Sequence, residues 1–109
     1  MNAERIEARE ALIQLYDFYG TLLTERQNLC FVMHYIEDLS LAEIGGELSI
    51  TPQAVADQIK RTSAILRRYE EKLALAANWK AQQAQIGEIR KALSDGISME
   101  EIHLMLDNL

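Results

Sequence analysis

The lone proline of this chain stands directly after a threonine, at Thr51-Pro52, and that pair announces the start of a helix. Inside a helix a proline removes a hydrogen bond and clashes with the preceding turn; at the first helical position its missing N–H costs nothing and its fixed φ suits the start. Thr51 supplies the cap. From Pro52 onward Val55, Ile59, Leu66, Tyr69 and Leu73 fall within a narrow arc at roughly 100° per residue, so a long amphipathic helix is expected from Pro52 to about Asn78. Only five glycines punctuate the other residues, helix formers dominate, and no stretch alternates apolar with polar for long. The chain reads as all-α, with about six helices.

Local signals place the other five. The first helix is expected from about Ala3 to Tyr19, with Leu12, Leu15, Tyr16 and Tyr19 on one face, Ile13 and Phe18 beside them, and Gly20 as a left-handed residue just past its end. Thr24 and Gln27 form a capping box that opens a second helix through Leu29, Val32, Met33 and Ile36, and Ser40 with Glu43 opens a short third through Leu41, Ile44 and Leu48. Beyond the long fourth helix, Trp79, Ile86, Ile89 and Leu93 mark a fifth that Asp95 and Gly96 break. Ser98 with Glu101 caps a sixth through Ile102, Met105, Leu106 and Leu109. The organisation is one helical domain over 1–109, with a helix-turn-helix unit and its long helix at 20–78 and a helical hairpin at 79–109.

A chain of 109 residues, 49% apolar, can bury a core without a disulfide or metal staple, and its single cysteine forms no internal bridge. The lone thiol and the absence of any apolar run long enough for a signal core or a membrane span are read as cytoplasmic. The net charge of −6 argues against indiscriminate coating of nucleic acid, but it is unevenly spread. Residues 1–51 hold three basic side chains against nine acidic, residues 52–80 six against three, and residues 81–109 two against five. An anionic partner would have to dock on the central segment.

That segment has the layout of a helix-turn-helix: a short helix from Ser40, a three-residue connector and a capped second helix. Ile44, Leu48, Ile50, Val55 and Ile59 are its expected core, and Gly45 falls where the two helices approach most closely. On the long helix, Gln53, Lys60, Arg61, Arg67 and Arg68 lie on the half of the cylinder opposite the apolar arc. Two readings of these four cations stand side by side. They form a ridge that contacts successive phosphates, or, with Glu70 and Glu71 nearby, simply a solvated face.

The run Leu23-Thr24-Glu25-Arg26-Gln27, then Leu39 to Gly45 and Thr51-Pro52-Gln53-Ala54-Val55, resembles the fourth region of bacterial sigma factors, which reads promoter DNA. A closer resemblance is to the small YlxM family of helix-turn-helix proteins, carried by Tyr16-Asp17-Phe18-Tyr19-Gly20, Leu22-Leu23-Thr24, Asp38 to Ile44, Gln53-Ala54-Val55, Asp57 and Ile59-Lys60-Arg61-Thr62, within roughly residues 12 to 75. The resemblance implies a sigma-region-4-like helix-turn-helix with a long recognition helix and a non-enzymatic regulatory protein. It also implies a link to the signal recognition particle pathway, because the family's gene commonly neighbours that particle's GTPase. The chain departs from the family pattern at Pro52, where arginine is expected, at Ala56, where a larger side chain is, and at Ser49, where glycine is. Among outward residues of the first two turns only Gln53 and Gln58 can then pair bidentately with a base, and Asp57 would repel phosphate. Thr51, Gln53, Asp57, Lys60, Arg61, Arg67 and Arg68 are the residues expected at a nucleic-acid interface, DNA or RNA. The alternative is a protein-interaction adaptor of the particle's machinery that uses the same scaffold.

Other residues that look chemical carry less. Cys30 and His34 stand four apart on one helix, too few for a metal site, and Cys30 is expected to pack as a small hydrophobe. His103 stands alone, Gly45-Gly46 falls inside a helix rather than in a phosphate-binding loop, and no acid/base set or nucleophile motif converges. No enzyme, cofactor or metal is expected. Trp79 is expected as a packing anchor. The wide aromatic face of the first helix, with Tyr16, Phe18 and Tyr19, either continues the core or is shared with a second copy in a homodimer.

Overall fold

Four helices of this protein start at a Thr or Ser side chain, Thr24, Ser40, Thr51 or Ser98, each of which satisfies a backbone N–H group that has no partner inside the helix. The computed structural model describes residues 3–109, and among them it has six α-helices and no strand. They are α1 (Ala3–Tyr19), α2 (Glu25–Phe31), α3 (Leu41–Leu48), α4 (Pro52–Leu73), α5 (Leu75–Ser94) and α6 (Met99–Asp107). Both expected capping boxes form: Thr24 with Gln27 at α2 and Ser40 with Glu43 at α3, each cap worth about 1 kcal/mol. The Glu43 carboxyl is held below the usual carboxylate range, chiefly by the Ser40 backbone N–H that it accepts and then by the Ser40 hydroxyl. Thr51 accepts the Ala54 N–H at 3.0 Å, and Ser98 accepts the Glu101 N–H at 3.3 Å.

The chain divides into two compact units, residues 1–73 and 74–109. In the first, α1, α2 and α3 all pack against α4. One core cluster joins Cys30, Met33, Ile44, Val55 and Ile59, with Leu48 and Ile50 against it, as expected for the helix-turn-helix. The other joins Leu12, Tyr19, Phe31 and Leu66. Tyr16 stacks on Phe31 with centroids 4.8 Å apart, and Tyr19, fully buried, lies 5.8 Å from Tyr69 and donates its hydroxyl to the Glu70 carboxylate at 2.7 Å. Tyr16 donates to Asn28. Of the aromatic face of α1, Tyr19 is buried inside this unit, and Tyr16 and Phe18 are half-buried against its core.

Three expectations need correction. Gly20 does not take a left-handed conformation; it opens a tight turn over Gly20–Leu22, and its lack of a side chain matters because a Cβ there would lie 2.8 Å from the Tyr16 ring. The second helix does not run as an α-helix to Ile36. Over Val32–Ile36 it widens into a π turn, with the Glu37 N–H bonded to the Val32 carbonyl at 3.0 Å. Arg9 of α1 reaches across to the Tyr35 carbonyl and the Asp38 carboxylate and ties this segment down. Finally, α4 stops at Leu73 instead of near Asn78, because Ala74 turns left-handed at φ 50° before α5 begins.

In the second unit α6 folds back on α5 through Asp95 and Gly96, the latter at φ 78° as its glycine permits, and Ile89 and Ile102 are buried. Trp79 lies near the start of α5 and is 46% exposed.

Candidate nucleic-acid interface

The close approach inside the helix-turn-helix is between α3 and the connector rather than between two helix bodies. An added Cβ at Gly45 would lie 2.6 Å from the Ile50 carbonyl oxygen and 3.3 Å from the Pro52 nitrogen, so even alanine forces the connector backbone to shift. Gly46 faces open space. The connector Ser49-Ile50-Thr51 makes its turn with Ser49 left-handed at φ 58°, and the Ile50 N–H returns to the Gly45 carbonyl at 3.0 Å. This tight return sets the direction in which α4 leaves.

With α1, α2 and α3 packed on one side of α4, its opposite side is open. Gln53, Asp57, Lys60, Arg61, Arg67 and Arg68 are all exposed, as is Thr51 at the start. None of the four cations is paired with a carboxylate among the described residues. They fall into two rows at seven-residue spacing, Lys60 with Arg67 and Arg61 with Arg68, each step rising about 10 Å along the axis. The Thr51 hydroxyl is occupied as an acceptor by the Ala54 N–H, and Gln58 is half-buried, which leaves Gln53 as the freest base-reading side chain of the first two turns.

The rows border two different surfaces. On one flank of α4, Arg61 shares a groove of about 360 Å³ with Ile50, Ala54, Asp57, Gln58 and Arg26. Arg26 comes from α2 and carries no local signal in the sequence, since 35 positions separate it from Arg61. On the other flank, Lys60 and Arg67 edge a groove of about 380 Å³ that is walled by His34 and Tyr35 of the π turn.

The other candidates do not join this surface. Cys30 is fully buried beside Met33, and burial pushes its thiol up, with Arg26 opposing weakly. His34 places Nδ1 3.2 Å from the Leu39 carbonyl and meets the Tyr35 ring edge-on. Among the described residues no three His, Cys, Asp or Glu side chains gather as metal ligands, and no helix is long and apolar enough to cross a membrane.

A short helix whose Gly45 lets the connector backbone close against it and turn at once into a second helix defines a helix-turn-helix protein. Comparison with known proteins agrees: residues 6–105 match the family described as putative helix-turn-helix proteins, YlxM / p13 like. A UPF0122 protein of Halalkalibacterium halodurans is 40% identical over 95 residues, 87% of each chain, and one of Shouchella clausii is 39% identical over the same length and coverage. A third, from Bacillus pumilus, is 36% identical over 104 residues, 95% of this chain and 94% of its own. The chain belongs to this YlxM / p13-like family.

Proposed function

We propose that this protein is a cytoplasmic, non-enzymatic regulator that binds nucleic acid through the open side of α4. Gln53 and the N-terminus of α4, capped by Thr51, face the partner, while Lys60, Arg61, Arg67 and Arg68 hold phosphates; Asp57 limits how closely the first turns approach the backbone. The observation that carries this reading is the exposure of four unpaired cations in two rows on one side of a single rigid helix, in a chain whose net charge is −6. Arg26 extends the positive surface beside Arg61.

A second reading is favoured by the sparse base-reading end, where the Thr51 hydroxyl is engaged in its cap and Asp57 is exposed. In it the unit is a scaffold that docks on a protein, and the family resemblance points to the signal recognition particle machinery. One experiment separates the two: affinity for random-sequence duplex DNA and for a structured RNA across a salt series, with the Arg67→Glu/Arg68→Glu variant alongside. Each lost phosphate contact lowers the log–log salt slope by about 0.9 on a duplex, so the double variant is expected to lose nearly two units. An unchanged slope removes the ridge from the interface, and no binding at low salt leaves the adaptor reading.

A further inference from the structure

The groove on the Lys60 and Arg67 flank has a feature that phosphate contacts do not require. Its floor is apolar, built from Leu12 of α1, Leu41 of α3, and Ala56 and Ile59 of α4, with the Tyr35 ring beside them. A nucleic-acid backbone presents phosphate and sugar to a protein and gains little from such a floor. We propose that this groove is a binding site for a small amphipathic anion: an apolar body lying on Leu12, Leu41 and Ile59, with one carboxylate or phosphate group held between Lys60 and Arg67.

Five observations support the assignment. The volume, about 380 Å³, is within the range of small-molecule sites, and the lining combines an apolar surface with a few convergent polar groups. No carboxylate lines it, although the chain carries 17 acidic residues; the groove beside Arg61 contains Asp57, and a third, beside Tyr16, contains Asp17 and Glu25. Neither Lys60 nor Arg67 is paired with a carboxylate among the described residues, so an incoming anion displaces no internal partner. The wall is formed by the π turn itself, which contributes His34 and Tyr35 and is fixed from α1 by Arg9. A π turn is rare and is frequently found at functional sites. On α4 the strip Ala56, Lys60, Ser63 and Arg67 follows one face, and the small Ala56 side chain leaves the floor open.

The test titrates 3-phenylpropionate into the full chain and follows backbone amide shifts by NMR. 3-Phenylpropanamide, which keeps the apolar body, and inorganic phosphate, which keeps only the charge, are titrated in parallel. Saturable shifts confined to the π turn and the Ala56–Arg67 stretch are expected, weakened about tenfold in Arg67→Gln, because a charge-assisted hydrogen bond is lost. Ala56→Leu retains both cations and fills the floor; it is expected to weaken binding comparably while the amide shifts of residues outside the groove stay in place. Neither control compound should approach the affinity of the acid. Absence of saturation, shifts centred elsewhere, or equal affinity for the neutral amide overturns the assignment, as does indifference to Ala56→Leu or Arg67→Gln. The titration contains no nucleic acid, so its failure leaves the phosphate-binding reading of α4 intact.

Discussion

Gly45 and Gly46 are adjacent in one helix, yet replacing each by alanine is expected to move stability in opposite directions. Alanine is favoured over glycine in a helix interior by about 1 kcal/mol, and both substitutions collect that gain. At Gly46 nothing lies within 4 Å of the new methyl, so the gain is realised in full. At Gly45 the methyl meets the Ile50 carbonyl oxygen at 2.6 Å, about 0.8 Å inside ordinary contact, and the obstacle is backbone. That backbone has little freedom to retreat: the Ile50 N–H is bonded to the Gly45 carbonyl, Ser49 is left-handed, and Pro52 fixes the next turn. Overpacking of this kind costs up to about 3 kcal/mol, which leaves Gly45→Ala net destabilising by about 2 kcal/mol and separates the two variants by about 3 kcal/mol. In urea, with m between about 1 and 3 kcal/mol/M, the midpoints should differ by roughly 1 M or more. All four tyrosines lie in residues 1–73 and the lone tryptophan lies outside them, so tyrosine near-UV circular dichroism reports the affected unit and Trp79 fluorescence the other. If Gly45→Ala is as stable as the parent, or if both variants shift the same way, the close approach does not hold the helix-turn-helix together.

Three further outcomes follow from the same geometry. Ser49→Gly removes a Cβ from a left-handed residue at φ 58° and should raise stability by about 1 kcal/mol in the same denaturation assay. The Glu43 carboxyl titrates below its ordinary value of 4.5 in the folded protein, so its contribution to stability is present above that pH and lost as pH falls through the lowered folded value; the stability difference between parent and Glu43→Gln should therefore shrink on acidification from pH 6 to pH 3, as followed by thermal melts. The Cys30 thiol, buried and pushed up by desolvation, should resist alkylation by iodoacetamide in the native protein and react once urea unfolds it, and Cys30→Ser, which puts a hydroxyl in its place, should destabilise by about 1–3 kcal/mol.

The parts of this protein that were legible in its sequence are those settled within a few residues. A Thr or Ser three positions before a Gln or Glu closes a cap by itself, and proline at a helix start needs no distant partner; hence α2, α3 and α4 begin where Thr24, Ser40 and Thr51 place them. The period of the apolar residues likewise fixed which side of α4 is buried and which carries Lys60, Arg61, Arg67 and Arg68. The end of α4 was not legible, because Ala74 is a good helix former and takes its left-handed conformation against its own preference. Nor was the π turn at Val32–Ile36, whose sequence suits an ordinary helix and whose geometry is held by Arg9 from another helix. The two grooves beside α4 have the same origin: Arg26 meets Arg61, and Leu12, His34 and Leu41 meet Lys60 and Arg67, across separations that no periodicity encodes. Sequence determined the helices and their faces because caps and amphipathic spacing act over one or two turns, whereas tertiary packing decided which faces meet and where α4 is left open.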